Sequence, residues 1–153
     1  RVDDFTGDMW LEATYEAPRF ALPVEGALEF TAPAAAALKD HMLIFRAGSV
    51  DWGEERETDV FLYYTQRFEV DERLRLPAGY QVENPPDPVE VEGTWASFKS
   101  TVESGPRMLG LHAITDVNRR QIPPEGYPDL VKAMKALDDY AATPLRAVKG
   151  GSR

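Results

Sequence analysis

Residues 64–77 read YTQRFEVDERLRLP, and the alternation inside this stretch decides the fold. From Gln66 the even positions are Gln66, Phe68, Val70, Glu72, Leu74 and Leu76. The odd ones are Arg67, Glu69, Asp71, Arg73 and Arg75. A mostly apolar side thus alternates with a charged side at period two. Only a strand places successive side chains on opposite faces, so the spacing predicts a long, half-buried β-strand from Gln66 onward. Pro77-Ala78-Gly79 stops it, because Pro lacks the ladder donor and Gly suits a turn. A strand of this length needs neighbours, and the rest of the chain is built to supply them.

Downstream, YQVEN at 80–84 is a brief strand, and PPDPVEVEG at 85–93 keeps the backbone extended through its prolines. WASFKSTVE at 95–103 alternates again, with Ala96, Phe98, Ser100 and Val102 on one side. SGPR makes a turn. MLGLHAITDV at 108–117 is more apolar throughout, as a central strand should be. Upstream, residues 1–8 read as a linker and 9–15, MWLEATY, as a strand. EAPRFALPVEG at 16–26 reads as an irregular edge or loop, and 27–31 as a short strand. AAAALKD at 34–40 has helix formers but almost no amphipathic face, which fits a single helical turn or a crossover loop. HMLIFRA at 41–47 fits a strand buried on both faces, GSVDWGEERE at 48–57 a charged loop, and TDVFLYYT at 58–65 the start of the paired system around the long strand.

The period changes once. Pro123-Pro124-Glu125 signals a helix start, since proline is tolerated where backbone donors have no partner anyway. Leu130, Val131, Met134, Leu137 and Ala141 then recur three or four apart, with Lys132, Lys135, Asp138 and Asp139 opposite. This predicts an amphipathic helix over 124–142 lying on a sheet, with Leu130, Met134 and Leu137 buried. LRAV at 145–148 is the last strand, and 150–153 a tail. Short strands separated by turn residues, with one late helix, predict a mainly β protein: an antiparallel β-sandwich of immunoglobulin-like kind with one C-terminal amphipathic helix. One helix cannot cover a large sheet, so the two sheets are expected to pack mainly on each other. Residues 9–149 are read as one domain.

The totals bound the function. The 153 residues, 43% hydrophobic and 28% charged, make one ordinary globular domain. A chain of this size buries about 68–70% of its unfolded surface and needs no disulfide or metal staple. There are 26 acidic and 17 basic residues, a net charge of −9, and no basic stripe. That argues against nucleic-acid partners and anionic membranes. The absence of cysteine excludes a thiol nucleophile, disulfides and thiolate metal sites, and suits an oxidising compartment as well as the cytosol. Apolar runs fall far short of the ~20 residues of a membrane helix, so membrane insertion is not expected. No signal peptide is visible, and the opening Arg1 is read as the start of a piece of a longer protein.

The stretch LPAGYQVENPPDPV at 76–89, with WASFKSTVE at 95–103, the strand at 108–117 and RQIPPEGYPDLVKAMKAL at 120–137, resembles a known family. These are C-terminal β-sandwich domains of unknown function in bacterial multidomain envelope proteins. They stand behind an N-terminal β-sandwich domain and a central transglutaminase-like domain. The resemblance covers 64–148, and its most specific part is the IPPE-x-Y entry to the helix. It implies an accessory domain whose partner is an upstream transglutaminase-like domain of the same chain, in the periplasm, the cell envelope or outside the cell. The family's Cys-His-Asp set belongs to the central domain, and no residue here can replace its cysteine.

Candidate chemistry is sparse, and no catalytic, cofactor-binding or metal-binding residues are assigned. His41 opens an apolar run and His112 lies between Leu111 and Ala113; a metal or base role needs a converging carboxylate or second His, and no motif marks such a partner for either, so both read as structural. The acidic clusters are Asp3-Asp4 with Asp8, the run from Asp51 to Glu57, and Asp71-Glu72. DDFTGD only distantly echoes a Ca²⁺ loop, and solvated charge is the commoner meaning. Ser49, Ser97, Ser100, Ser104 and Ser152 lack a nucleophile-elbow pattern. Among aromatics, Trp10 and Trp95 read as core, and Trp52, in a charged loop, as the candidate for surface contact with a partner or a glycan or peptide ligand.

Overall fold

The computed structural model describes residues 20–41 and 55–150, with the backbone alone for Asp40 and His41. The strand read at 9–15, all but the first residue of the one read at 41–47, and the loop up to residue 54 lie outside the described residues.

The long alternating stretch is a ten-residue strand, β4 (Gln66–Arg75), and its period is written into its exposure: every odd position is exposed and every even one partly covered. We number the strands before it β1 (Leu22–Val24), β2 (Ala27–Phe30) and β3 (Val60–Phe61). After it come β5 (Tyr80–Val82), β6 (Val89–Val91), β7 (Ala96–Gly105), β8 (Met108–Val117), β9 (Gln121–Ile122) and β10 (Leu145–Lys149). The helices are α1 (Pro33–His41) and α2 (Tyr127–Ala142), the latter entered through a 3₁₀ turn at Pro124–Gly126.

Two four-stranded sheets, in the orders β4-β8-β7-β6 and β1-β2-β10-β5, and a two-stranded pair of β3 with β9 are all antiparallel. The mainly β, antiparallel architecture with a C-terminal amphipathic helix is therefore what the alternation predicts. β7 and β8 form a hairpin through Pro106-Arg107, where Arg107 takes a left-handed φ of 61°. β1 and β2 turn through Glu25-Gly26 at φ 48° and 83°, both positive as a type I′ hairpin turn requires.

α2 carries the buried stripe that its spacing predicts: Leu130 and Leu137 are fully buried and Met134 nearly so. It lies on β7, with β6 and β8 beside it, and Phe98 from β7 meets the Tyr140 ring at 5.5 Å between centroids. Each such fully buried apolar side chain contributes about 1.5–3 kcal/mol relative to exposure.

Three local expectations change. Residues 34–40 are not a single turn but lie within the nine-residue helix α1, which packs against α2 and β4. Its buried Ala35 and Leu38 follow Ala32, three apart, but alanines are too small for this face to register as amphipathic. His41 consequently ends a helix and does not open a strand. Residues 58–65 do not pair with the long strand: only Val60–Phe61 is a strand, and it pairs with β9. Cover for the inner face of the long sheet thus comes in part from α1 and α2, where the sequence expects the sheets to cover each other. Among the described residues, no helix is long and apolar enough to cross a membrane.

Candidate functional site

The outer face of the β4-β8-β7-β6 sheet collects charged side chains in cross-strand rows. Register fixes who meets whom. Arg67 stands opposite Asp116, Asp71 opposite His112, and Glu90 opposite Lys99. Arg67 Nη1 reaches Asp116 Oδ2 at 2.7 Å, and Lys99 Nζ reaches Glu90 Oε1 at 2.5 Å. Pairs this exposed contribute little, because solvent screens the charges and ordering long side chains opposes the contact.

His112 is the residue that pairing transforms. In sequence it has no partner; in the sheet its Nδ1 lies 2.9 Å from Asp71 Oδ1 and its Nε2 3.9 Å from Glu69 Oε1. The two carboxylates come from alternate residues of β4 and so share one face, and His112 reaches them from β8. Possible ligand atoms of Glu69, Asp71 and His112 all lie within 4.8 Å of one another, so these three could hold a cation. Beside them is a shallow depression of about 100 Å³ over Gly110, bounded by Asp71, Arg73, Thr101 and Glu103. The face is open to solvent and offers no enclosed cleft to desolvate a substrate. No hydroxyl or amine nucleophile is hydrogen-bonded to His112 among the described residues.

The other candidates disperse. Asp71 and Glu72 are neighbours in sequence but lie on opposite faces of β4, so they do not act as a pair. Glu72 points inward, where its Oε2 accepts a hydrogen bond from the Ala34 backbone at 3.1 Å. Burial pushes its carboxyl above the usual range, with the Ala34 N–H acting in the opposite direction. Tyr140 is pushed up to about 12 by burial and by the Glu72 charge. Ser100 is buried, its Oγ accepting from the Val89 N–H at 3.1 Å, and the Ser97 carbonyl accepts from Thr115 Oγ1 at 3.3 Å. Both serve strand packing. Trp95 packs against the core, with its indole over Gly126. Within the acidic run, Arg56 stacks over the Tyr127 ring at 5.0 Å. Asp3, Asp4, Asp8, Trp10, Ser49, Trp52 and Ser152 lie outside the described residues.

One feature carries no clear mark in the sequence. Phe61, Tyr63 and Tyr64 are 72%, 83% and 61% exposed, and the two Tyr rings lie 6.4 Å apart. Their apolar character would place them in a strand core. A two-residue β3, held to β9 by backbone pairing and by Gln121 Nε2 donating to Asp59, leaves them outside it.

Among the described residues the geometry defines an open, charged sheet face without an assembled reaction centre, carried on a mainly β domain. Comparison then identifies the class. Residues 38–146 match the family described as a domain of unknown function with solved structure, DUF3858, and the chain belongs to that family. Such domains are often found C-terminal to transglutaminase-like domains. The fold is similar to the crystal structure of a protein from Parabacteroides distasonis ATCC 8503 described as a "putative protease", with TM-score 0.63 and 14% identity over 80% of this chain. This chain spans 23% of that protein. No curated protein matches the sequence.

Proposed function

We propose that this chain is a non-catalytic accessory β-sandwich domain that docks against, or positions, a transglutaminase-like catalytic domain of the same protein. The observation that carries this is the family match over 38–146, in a family often found behind such domains. The chain's correspondence to about a quarter of a much longer similar structure agrees with it. In this reading residues 9–149 form one unit, 1–8 link it to its neighbour, and the parent protein works in the periplasm, the cell envelope or outside the cell. Having no cysteine, the chain leaves a transglutaminase-like reaction to the neighbour. The exposed Phe61, Tyr63 and Tyr64 are the side chains best suited to anchor that neighbour, since aromatic residues dominate interface energetics. Co-purification of the chain with the transglutaminase-like domain encoded in the same gene tests the docking. The Tyr63→Ser, Tyr64→Ser double variant should weaken it.

A second reading draws on the same aromatics. The paired Tyr63 and Tyr64 rings would also suit an independent glycan- or peptide-binding module, for which an exposed aromatic patch is the discriminating feature. Glycan-array binding that is lost in the same double variant would favour it.

A further inference from the structure

Three arginines gather at one end of the long sheet. Arg73 and Arg75 project from the outer face of β4, and Arg107 sits in the β7–β8 turn. That turn is tied to the end of β4, the Leu76 N–H donating to the Arg107 carbonyl at 2.9 Å. All three are exposed, and among the described residues none has a carboxylate within ion-pair distance, whereas Arg67 and Arg146 do. In a chain of net charge −9, three adjacent cations without acidic partners among the described residues stand out.

Two hollows meet at Arg73-Leu74-Arg75. One, of about 480 Å³, runs over Pro106 and the exposed Met108 between the arginines. The other, of about 410 Å³, is apolar and lies between Leu74 and Leu76 on one side and Phe20, Leu28 and Phe30 on the other. β4 is also the last strand of its sheet, paired on one side only among the described residues. α1 takes up the inner face around Glu72, so among the described residues the open portion is the end from Arg73 onward.

We propose that this end of β4 binds an extended peptide segment in which acidic and apolar residues alternate, laid alongside β4 as an added strand. Strand pairing sends alternate side chains to opposite faces. Acidic residues would then meet Arg73 and Arg75 on the outer face, with Arg107 at the end of the row. Apolar residues on the other face would enter the hollow beside Leu74 and Phe30. Arginine forks match carboxylate geometry, and the edge left unpaired among the described residues supplies backbone donors and acceptors. The −9 net charge opposes an acidic ligand at long range, so recognition has to come from these local groups. The inference does not depend on docking to a catalytic domain.

The test is an NMR titration of the 153-residue chain with two blocked peptides, one alternating Val and Glu and one alternating Val and Lys. The Val-Glu peptide should shift the amides of 73–76 and 107 at submillimolar concentration, while the Val-Lys peptide leaves them unmoved. Arg73→Glu with Arg75→Glu should weaken binding by about tenfold or more, a difference of at least ~1.4 kcal/mol. Arg107→Gly, which suits a positive φ and so spares the turn, should weaken it less. Equal shifts from both peptides, no shift at this edge, or unchanged binding by the charge-reversed variant would overturn the proposal. Equal shifts from an anionic oligosaccharide would also overturn it, by showing that charge alone is recognised.

Discussion

Glu72 Oε2 accepts a hydrogen bond from the backbone N–H of Ala34 at 3.1 Å, across 38 residues of sequence. This inward carboxylate of β4 meets the first turn of α1, where backbone donors lack helical partners and the helix dipole favours negative charge. It therefore ties α1 to β4, and its charge reaches Tyr140 on α2. Lys39 and Asp138 add an ion pair between the two helices. Glu72→Ala should cost about 0.5–2 kcal/mol at neutral pH, the usual loss when a helix-start acceptor is removed. Urea unfolding measures this directly.

The same carboxylate gives a pH dependence. Burial raises its folded pKa, so the folded state holds this proton more tightly than the unfolded chain. The resulting stabilisation is full below the ordinary carboxylate value and is lost as pH rises through the raised one. Glu72→Gln keeps a carbonyl acceptor and removes the titration. Relative to this variant, the natural chain should gain stability as pH falls through that window. Parallel stability–pH curves for the two would contradict the assignment.

Leu130 is fully buried under α2. Leu130→Ala should cost about 2–5 kcal/mol through lost transfer energy and the cavity left behind. A loss below about 0.5 kcal/mol, the range of surface substitutions, would remove α2 from its place on the sheet.

Gly126 has an ordinary helical backbone, φ −89°, so nothing there demands glycine for its dihedrals. Space does. A Cβ would come within 2.5 Å of Trp95 Nε1. Gly126→Ala should therefore destabilise by about 1–3 kcal/mol, the overpacking range. Trp95→Phe in the same chain should recover part of that loss, since contacting sites couple. Additive losses would mean that the indole is not the obstacle.

Much of this architecture was legible because periodicity survives in a single sequence. The odd and even residues of β4 sort onto two faces as their chemistry demands, 108–117 is a strand over those same residues, and Leu130, Met134 and Leu137 fall on one buried stripe. α1 was hidden because its packing face is largely alanine, and tertiary contact with β4 and α2 determines the helix. The Glu69-Asp71-His112 cluster was hidden for a different reason. Asp71 and His112 are 41 residues apart, and only the β4–β8 register makes them neighbours. Alternation in each strand tells which side chains share a face, but not which strands pair. Exposure of Tyr63 and Tyr64 was hidden likewise, because apolar content suggested a strand that the short β3 does not extend to them.

The most direct measurement is size-exclusion chromatography with light scattering of this chain mixed with a transglutaminase-like domain, the proposed partner. The account predicts a one-to-one complex that the Tyr63→Ser, Tyr64→Ser variant weakens. Separate elution at high micromolar concentration, joined to no interface between the two when expressed as one polypeptide, would contradict it.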